Sequence, residues 1–467
     1  MIRARLAVLA APALLLPLAL TATSASSRCA HPESTRAVTM SGQPAPYRGS
    51  ACTVPTGYLT GETHVRIAPD GTVVQQPAET TPGLAGTGFA PGIIGPKPQS
   101  QVTPAGFAVS RDGGRSFRLV YPSGAQWVAS DGSIHIDQVT GRLYYYALSP
   151  VVLPDSGSVP VTDQLAAGYA HMMTSDDNGR TWFHTQIPGY VESENPRFTS
   201  GVAPLGGDRP VPGESVAYWC GNTALFVYGQ RDCYRTLDGG HTWTLRSTLF
   251  RRGIPIHAQC GQDQEVFNAG DGNYPQAGPD GSLWTLVSCG AHTFLARSTD
   301  EAASFPVQRP IPAMDELRID RQGVLYGVTQ AGAALLLRTS RDGGRSWSRP
   351  VDLVAKDRRG SAIGQWAMAL RGPGQLAVAY LTAHRGGGFD GTVTVLRHGA
   401  LVSATVHDAR TQLVTSPTTA KDDYIDVDVA PDGSAWGAFY GDCGTDPACL
   451  GSNPNPEAKI GELLHVS

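Results

Sequence analysis

Two pairs of neighbouring carboxylates are candidate catalytic residues in this sequence. Asp263 stands near Glu265, and Asp422 stands beside Asp423. Two carboxyl groups held close together can act as general acid and general base, which hydrolysis or elimination at a sugar requires. Adjacent acids on a loop are more often simply solvated, so the pairs indicate a carbohydrate activity without establishing one.

Aromatic side chains offer a second kind of site, because the face of a ring can stack on a sugar. The candidate rings are Trp127, Trp219, Trp366 and Tyr274. The competing interpretation is that each ring packs between layers of the fold. A protein that binds a glycan or another protein, and cleaves nothing, therefore stays open.

The sequence carries no signature of a metal or cofactor site. Its 12 histidines form no H-x-H or H-E-x-x-H pattern, and no phosphate-binding loop is present. Asp426 and Asp428 alternate along one face of a strand and could help to hold calcium. Hydrogen bonding between neighbouring elements is the simpler interpretation, so we expect neither a metal nor a cofactor.

Five copies of one eight-residue pattern, S-x-D-x-G-x-[ST]-[WF], indicate the elements that position these groups. The copies lie at 110–117, 175–182, 236–243, 298–305 and 340–347. The carboxylate can accept backbone N–H groups across a tight turn, the glycine supplies a positive φ, and the aromatic residue fills the gap between sheets. The aspartates, predicted to be structural, are Asp112, Asp177, Asp238, Asp300 and Asp342. Ala302 replaces the glycine of the fourth copy, which predicts a distorted turn.

A second repeat places an apolar strand before a glycine turn, as at 65–71, 317–323 and 427–433. The short distance from this turn to the next eight-residue turn leaves room for two strands, so one unit has four strands. Such units are typical of propeller blades. The sequence predicts an all-β propeller of six or seven four-stranded antiparallel blades, with seven favoured. We expect its last strand to close the ring by pairing with an N-terminal strand near 58–67.

The eight-residue pattern is that of the Asp-box, or BNR, repeat, and the chain resembles the sialidase-like β-propeller superfamily over about residues 58–466. The resemblance is specific for the fold, because Asp-box propellers also include other glycosidases and proteins that only bind sugars or proteins. It implies a sialidase-type glycoside hydrolase that acts on or binds extracellular glycans. The alternative is a non-catalytic glycan- or protein-binding module.

In sialidases three arginines bind the substrate carboxylate, a tyrosine activated by a glutamate is the nucleophile, and an aspartate is the acid/base. The resemblance points to Tyr424 as the nucleophile. The carboxylates that could serve beside it are Glu192, Glu194, Asp263, Glu265 and Asp423. The candidate substrate-binding arginines are Arg197, Arg251, Arg252 and Arg318. Arg66 shares the repeat position of Arg318, but its motif only echoes that of the family, and no complete arginine triad can be assigned.

Strand parity predicts which face of the ring carries the function. If the strands of a blade are A to D from the inside outward, the A–B and C–D turns share one face, and the B–C and D–A connections share the other. The short turns belong to the first set. The long segments belong to the second, and they are 148–167, 186–213, 244–262, 403–421 and 441–458. Long loops in a compact domain are usually functional or disordered, so we expect the ligand on their face, over the central channel.

The N-terminus has the order of a secretory leader. Arg3 and Arg5 precede an apolar run at 6–20, and small residues follow at 21–27. The run is too short and too proline-broken to span a membrane. We predict a secreted protein with a signal peptide at 1–27, an N-terminal extension at 28–57 and a single propeller domain at 58–467.

Eight cysteines fit an exported chain, because an even number in that compartment suggests disulfides. Short intervening segments favour pairing between sequence neighbours. The predicted pairs are Cys29–Cys52, Cys220–Cys233, Cys260–Cys289 and Cys443–Cys449. The first pair would tie down the N-terminal extension.

The composition argues against a nucleic-acid-binding protein. The 467 residues have a formal net charge of −4, only 16% of them are charged, and there is no long Lys/Arg run. The 55 glycines and 35 prolines add to the evidence for a turn-rich β protein. We expect a monomer whose partner is an extracellular glycan or glycoconjugate.

Overall fold

The computed structural model describes residues 29, 31–46, 49–59, 63–78, 106–120, 130–148, 169–188, 197–222, 231–249, 275–289, 292–384, 387–397, 399–409, 413, 425–442 and 459–467. Within these residues the chain forms seven antiparallel sheets, and the helical content is limited to one short 3₁₀ segment, Val406–Ala409. No helix of the described part is long and apolar enough to cross a membrane.

Each sheet is one blade, and each blade starts with its innermost strand. Three strands come before the first blade: β1 (His31–Glu33), β2 (Arg36–Thr39) and β3 (Ala51–Leu59). Blade 1 consists of β4 (His64–Ile67), β5 (Val73–Ala78), β6 (Gly106–Ser110) and β7 (Arg118–Val120). Blade 2 consists of β8 (Ser130–Ile136), β9 (Leu143–Leu148), β10 (Tyr169–Ser175) and β11 (Phe183–Pro188). Blade 3 consists of β12 (Arg197–Gly201), β13 (Val216–Asn222), β14 (Arg231–Thr236) and β15 (Thr244–Leu249).

The second half of the ring repeats the same arrangement. Blade 4 consists of β16 (Gln276–Ala277), β17 (Leu283–Cys289), β18 (His292–Ser298) and β19 (Val307–Ile311). Blade 5 consists of β20 (Glu316–Ile319), β21 (Leu325–Ala331), β22 (Ala334–Ser340) and β23 (Val351–Asp352). Blade 6 consists of β24 (Ile363–Gly372), β25 (Gln375–Ala383), β26 (Phe389–Arg397) and β27 (Ala400–Thr405). Blade 7 contains β28 (Asp426–Val429), β29 (Ala435–Asp442) and β30 (Lys459–Val466).

The innermost strands contact one another in a closed cycle, from β4 through β8, β12, β16, β20, β24 and β28 back to β4. The fold is therefore a seven-bladed propeller, as the two repeats predicted.

An N-terminal strand completes the last blade. Strand β3 is the fourth strand of blade 7, and it pairs with β30 in a register that places Val54 opposite Leu463. This confirms that N- and C-terminal strands close the ring. The predicted position of the closing strand, 58–67, was wrong, because His64–Ile67 is already used as the innermost strand of blade 1. Strands β1 and β2 add a fifth strand to blades 7 and 6.

The core lies between blades, because both faces of a middle strand are covered by neighbouring sheets. Strand β9 has three consecutive buried tyrosines. Tyr144 and Tyr146 pack toward blade 3, whereas Tyr145 packs against Phe107 of blade 1 with ring centroids 4.7 Å apart. This double-sided burial is why the middle strands are apolar at successive positions instead of alternating ones.

The five eight-residue turns have one hydrogen-bond pattern. In the turn at 110–117, Oδ1 of Asp112 accepts from the Ser110 hydroxyl (2.8 Å) and from the Ser116 N–H (3.0 Å), and Oδ2 accepts from the Ser116 hydroxyl (2.7 Å). Burial raises the pKa of Asp112, but these hydrogen bonds outweigh it and lower the pKa to about 2. The carboxylate is thus used within its own turn.

The fourth copy keeps this pattern, so the predicted distortion was wrong. Asp300 accepts from the Ser298 hydroxyl (2.8 Å) and from the N–H of Ser304 (2.9 Å). Glu301 and Ala302 occupy two positions that are Gly-Gly in three of the other copies and Asn-Gly in the second copy, and they adopt the positive φ values of 59° and 65°. Both residues therefore adopt the left-handed conformation although they have a Cβ, and the turn keeps the geometry of the other copies.

Two of the four predicted disulfides lie among the described residues, and both are formed. Cys29 is bonded to Cys52, with the Cα atoms 5.8 Å apart. Cys220 is bonded to Cys233, its direct cross-strand neighbour in blade 3. The second bond staples strands β13 and β14, and the first ties the N-terminal segment to the closing strand. The side chains of the other two predicted pairs, Cys260–Cys289 and Cys443–Cys449, are not among those that the structure describes.

Candidate functional site

The two faces of the ring differ in their connections. The face with the A–B and C–D turns, here called the short-turn face, carries the five eight-residue turns. The opposite, long-loop face receives the connections at 149–168 and 443–458, which join B to C strands, and at 250–275, which joins a D strand to the next A strand. Every innermost strand starts at the long-loop face.

One predicted loop is on the wrong face. The segment 186–213 was expected to be a single D–A connection, but it contains strand β12, the innermost strand of blade 3. The part after β12, at 202–215, is an A–B connection on the short-turn face, where the N–H of Val211 donates to the carbonyl of Leu237 (2.8 Å). No tight glycine turn follows β12, which explains why this strand was missed.

All five predicted catalytic residues lie outside the described residues. These residues are Tyr424, Glu194, Asp263, Glu265 and Asp423. The same holds for Arg251 and Arg252, for Glu192 and Asp422, and for the rings of Trp127 and Tyr274. Arg197 is the first residue of β12, at the long-loop end of an innermost strand, and its side chain is not described.

Arg318 and Arg66 lie on innermost strands, and both are already paired. The guanidinium of Arg318 forms an ion pair with Glu316 and donates to the carbonyl of Met368 in blade 6 (3.0 Å). Arg66 forms an ion pair with Asp426 of blade 7. Each arginine therefore links neighbouring blades, and its positive charge has a carboxylate partner in the protein.

Asp426 and Asp428 join blade 7 to blade 1. Asp426 accepts a hydrogen bond from the N–H of Val65 (3.2 Å), and Asp428 accepts one from the N–H of Ile67 (2.7 Å). Burial raises the pKa of Asp428 above its usual value. The prediction of hydrogen bonding between blades is confirmed for both residues.

Other links continue around the channel. His135 of blade 2 contacts the Ser200 hydroxyl of blade 3 (2.8 Å), and burial lowers the pKa of His135 to about 4. Arg371 of blade 6 donates to the carbonyl of Val429 in blade 7 (3.1 Å). Polar side chains of the innermost strands thus join neighbouring blades.

Of the predicted sugar-stacking rings, Trp219 has a packing role. Its side chain is fully buried, with ring centroids 5.0 Å from Tyr146 of blade 2 and 5.5 Å from Tyr234. The interpretation that the ring packs between blades is therefore confirmed for this residue, and no face of the ring is open to a ligand. Trp366, on the innermost strand of blade 6, is only partly buried and packs against the core between blades 5 and 6.

A histidine, an aspartate and an arginine meet on the long-loop face of blade 6. His384 follows β25, Asp390 is in β26, and Arg358 is in the connection from blade 5. The two oxygens of Asp390 contact Nδ1 of His384 (2.8 Å) and Nη1 of Arg358 (2.7 Å). Beside them, Tyr440 of blade 7 donates to Oε1 of Gln365 on the innermost strand of blade 6 (3.1 Å).

Sequence reasoning did not identify this cluster. His384 and Asp390 are six positions apart and flank a glycine-rich hairpin, so the B–C pairing in blade 6 brings them together. That pairing was the available signal. Arg358 lies in the connection from blade 5, and nothing in the local sequence predicts its contact with Asp390.

Comparison with known proteins identifies no family for the chain. No protein-family profile and no curated protein matches the sequence. Among solved structures, a lectin from Aleuria aurantia in complex with Fucα1-6GlcNAc is 10% identical, with 75% of this chain and 97% of that chain covered and a TM-score of 0.41.

Two enzymes are similar at the same level. Virginiamycin B lyase from Staphylococcus aureus is 11% identical, with 89% of this chain and 99% of that chain covered and a TM-score of 0.43. A sialidase from Streptococcus pneumoniae is 12% identical, with 88% and 68% covered and a TM-score of 0.35. At these identities the similarity carries no information about the activity of this chain.

Proposed function

We propose that the protein is a secreted, glycan-directed propeller that binds its ligand on the long-loop face, over the central channel. The observation that carries the proposal is the difference between the two faces. On the short-turn face the five carboxylates are used within their own turns. On the long-loop face the innermost strands begin, and the strand ends joined by the long connections lie there too.

The sequence of the turns and the leader support the rest of the proposal. We identify the five turns as Asp-box repeats, a pattern typical of sialidase-like propellers. The leader at 1–27 and the two disulfides support export, because disulfides persist in oxidising compartments. The partner is an extracellular glycan or glycoconjugate.

The paired arginines favour binding, or a reaction other than sialidase chemistry. A sialidase needs guanidinium groups that are free to receive a carboxylate, and both Arg66 and Arg318 already have carboxylate partners. A substrate carboxylate would have to displace Asp426, at the cost of breaking a link between blades 1 and 7, or Glu316, which lies on the same strand as Arg318.

Hydrolysis with Tyr424 as the nucleophile is the second candidate function. One observation favours it: the innermost strand of blade 7 begins at Asp426, two positions after Tyr424, and it begins at the long-loop face. A tyrosine that directly precedes this strand is in the right part of the chain to reach the channel mouth.

The test is a glycan array and a panel of fluorogenic glycosides, sialosides included, applied to protein that starts at residue 28. We expect binding of at least one glycan class. Loss of sialoside turnover in Tyr424→Phe, with turnover kept in the matched control Tyr58→Phe, would establish the second candidate. If the protein neither binds nor turns over any glycan, both candidate functions are rejected.

A further inference from the structure

The hairpin that carries His384 is fixed to the innermost strand of its blade. Ala383, just before the histidine, donates its N–H to the carbonyl of Ala362 at the start of β24 (2.9 Å). The N–H of His384 itself donates to the carbonyl of Gly388 across the hairpin (3.0 Å). Backbone hydrogen bonds therefore hold His384 at the long-loop end of blade 6.

Asp390 is placed to orient the imidazole and not to react itself. Its side chain is 1% exposed, and each of its oxygens is engaged, one by His384 and the other by Arg358. A carboxylate only accepts hydrogen bonds, so Nδ1 of His384 carries the proton, and the lone pair of the neutral ring is on Nε2. A fifth of the His384 side chain is exposed, whereas its carboxylate partner is buried.

This arrangement has the parts of an oriented base. The base, the group that orients it and a cation that holds the orienting carboxylate form a continuous chain of contacts. Two side chains would suffice to clamp a hairpin to its neighbour. The third group, Arg358, balances the charge of the buried carboxylate and holds it in place, and the carboxylate stabilises the imidazolium formed when Nε2 takes a proton.

We propose that His384 is the proton-transfer residue of the long-loop face, with Asp390 and Arg358 as its positioning residues. The inference rests on the proposed function for its substrate, a neutral glycoside. Nε2 takes a proton from a water molecule as the oxygen attacks the anomeric carbon. The bond from that carbon to the glycosidic oxygen breaks in the same step, the departing oxygen takes a proton from solvent, and the imidazolium gives its proton up to solvent, so that one water is consumed and the residue is regenerated.

The experiment measures turnover of the fluorogenic panel by the full mature protein and by His384→Gly. We expect the variant to lose kcat by about 10²–10⁴-fold, and added imidazole to restore part of it. Asp390→Asn should lower kcat with a smaller change in KM, because it removes the orientation and charge balance but not the base. His292→Gln, at an exposed histidine of blade 4, is the matched control and should keep wild-type kinetics.

The outcomes separate this inference from the proposed function. Glycan binding on the array without turnover of any glycoside would overturn the role of His384 and leave the glycan-directed function standing. Turnover that His384→Gly retains, or that imidazole does not rescue in a variant with a wild-type unfolding temperature, would also overturn it. Rescue by imidazole supports it, because a purely structural histidine gives no such rescue.

Discussion

Glu33 and Glu462 are buried together in the seam between blades 6 and 7. Oε1 of Glu33 accepts from the Thr53 hydroxyl (2.5 Å) and from the N–H of His407 (3.0 Å). In the described part of the chain, Oε2 of each glutamate is buried without a hydrogen bond. Burial, and then the charge of Glu33, raise the pKa of Glu462 to about 7. At neutral pH the seam therefore contains a carboxyl group that is close to gaining or losing its proton.

This pair predicts a stability that falls with rising pH. The pKa of Glu462 is raised from 4.5 to about 7 on folding, so the folded state binds this proton more tightly than the unfolded state. The stabilisation of the folded state that this gives is complete below about pH 4.5 and is lost as the pH rises through 7. We expect Glu462→Gln to be more stable than wild type by up to about 3 kcal/mol at pH 8, with a smaller difference at pH 5. Urea unfolding at both pH values measures this. An equal difference at the two pH values, or a similar effect of Asp357→Asn at an exposed position, would contradict it.

A buried ion pair holds blade 3 to blade 4. Arg235 and Glu301 form it with side chains 7% and 5% exposed, and Glu301 is the residue that replaces a glycine in the fourth turn. We expect Glu301→Ala to cost about 3 kcal/mol, because it leaves the buried guanidinium of Arg235 with only the exposed Asp208 as an ion-pair partner. Arg36→Ala, which breaks the exposed pair with Asp357, should cost no more than about 1 kcal/mol. Chemical denaturation measures the free energy of unfolding of both variants. Equal losses of stability would show that burial of the ion pair does not determine the cost of breaking it.

At the scale of single elements, the eight-residue turn also serves as a contact with the preceding blade. A Cβ on Gly344 would lie 2.7 Å from Cδ2 of Leu295, and one on Gly240 would lie 2.7 Å from Cγ2 of Thr174. Ala302, at the same position of the fourth turn, has a Cβ and is fully buried. The neighbouring blade thus decides whether this position must be glycine.

The same comparison gives a paired prediction. Gly344→Ala should destabilise the protein by about 2 kcal/mol or more, from left-handed strain and from the clash with Leu295. Ala302→Gly, the reverse change in a turn that accommodates its Cβ, should stay within about 1 kcal/mol of wild type. Thermal unfolding of both variants is the measurement. A tolerated Gly344→Ala would mean that the facing blade moves aside.

How much the sequence predicts depends on whether a feature is local. The turns were predicted because each is specified by eight consecutive residues, and the four-stranded unit follows from their spacing. Strand β12 was missed because no tight turn follows it. The contact of Arg66 with Asp426 and that of Arg358 with Asp390 join different blades. Such contacts depend on how sheets stack, which no local pattern encodes.

At the scale of the whole molecule, the closing strand decides whether there is a ring. Without β3, strand β30 would be an exposed sheet edge in blade 7, and such edges promote aggregation. We expect protein that starts at residue 61 to lose cooperative unfolding and to aggregate. Protein that starts at residue 41 keeps β3 but lacks β1, β2 and the disulfide of Cys52, and it should fold with a loss of about 3–4 kcal/mol. Light scattering and calorimetry distinguish the two, and a soluble, cooperative shorter protein would disprove the role of β3.

The pairing of β3 with β30 also sets an order in time. About 400 residues separate the two strands, and at roughly 5–20 residues per second a ribosome needs roughly 20–80 seconds to make them. Throughout that interval β3 has been synthesised and its partner has not. Individual blades can form as they emerge, but the circle cannot be completed until nearly all of the printed sequence has been translated. Ring closure therefore comes late in synthesis, and a defect near residue 460 would deprive β3 of its partner about 400 residues after β3 was made.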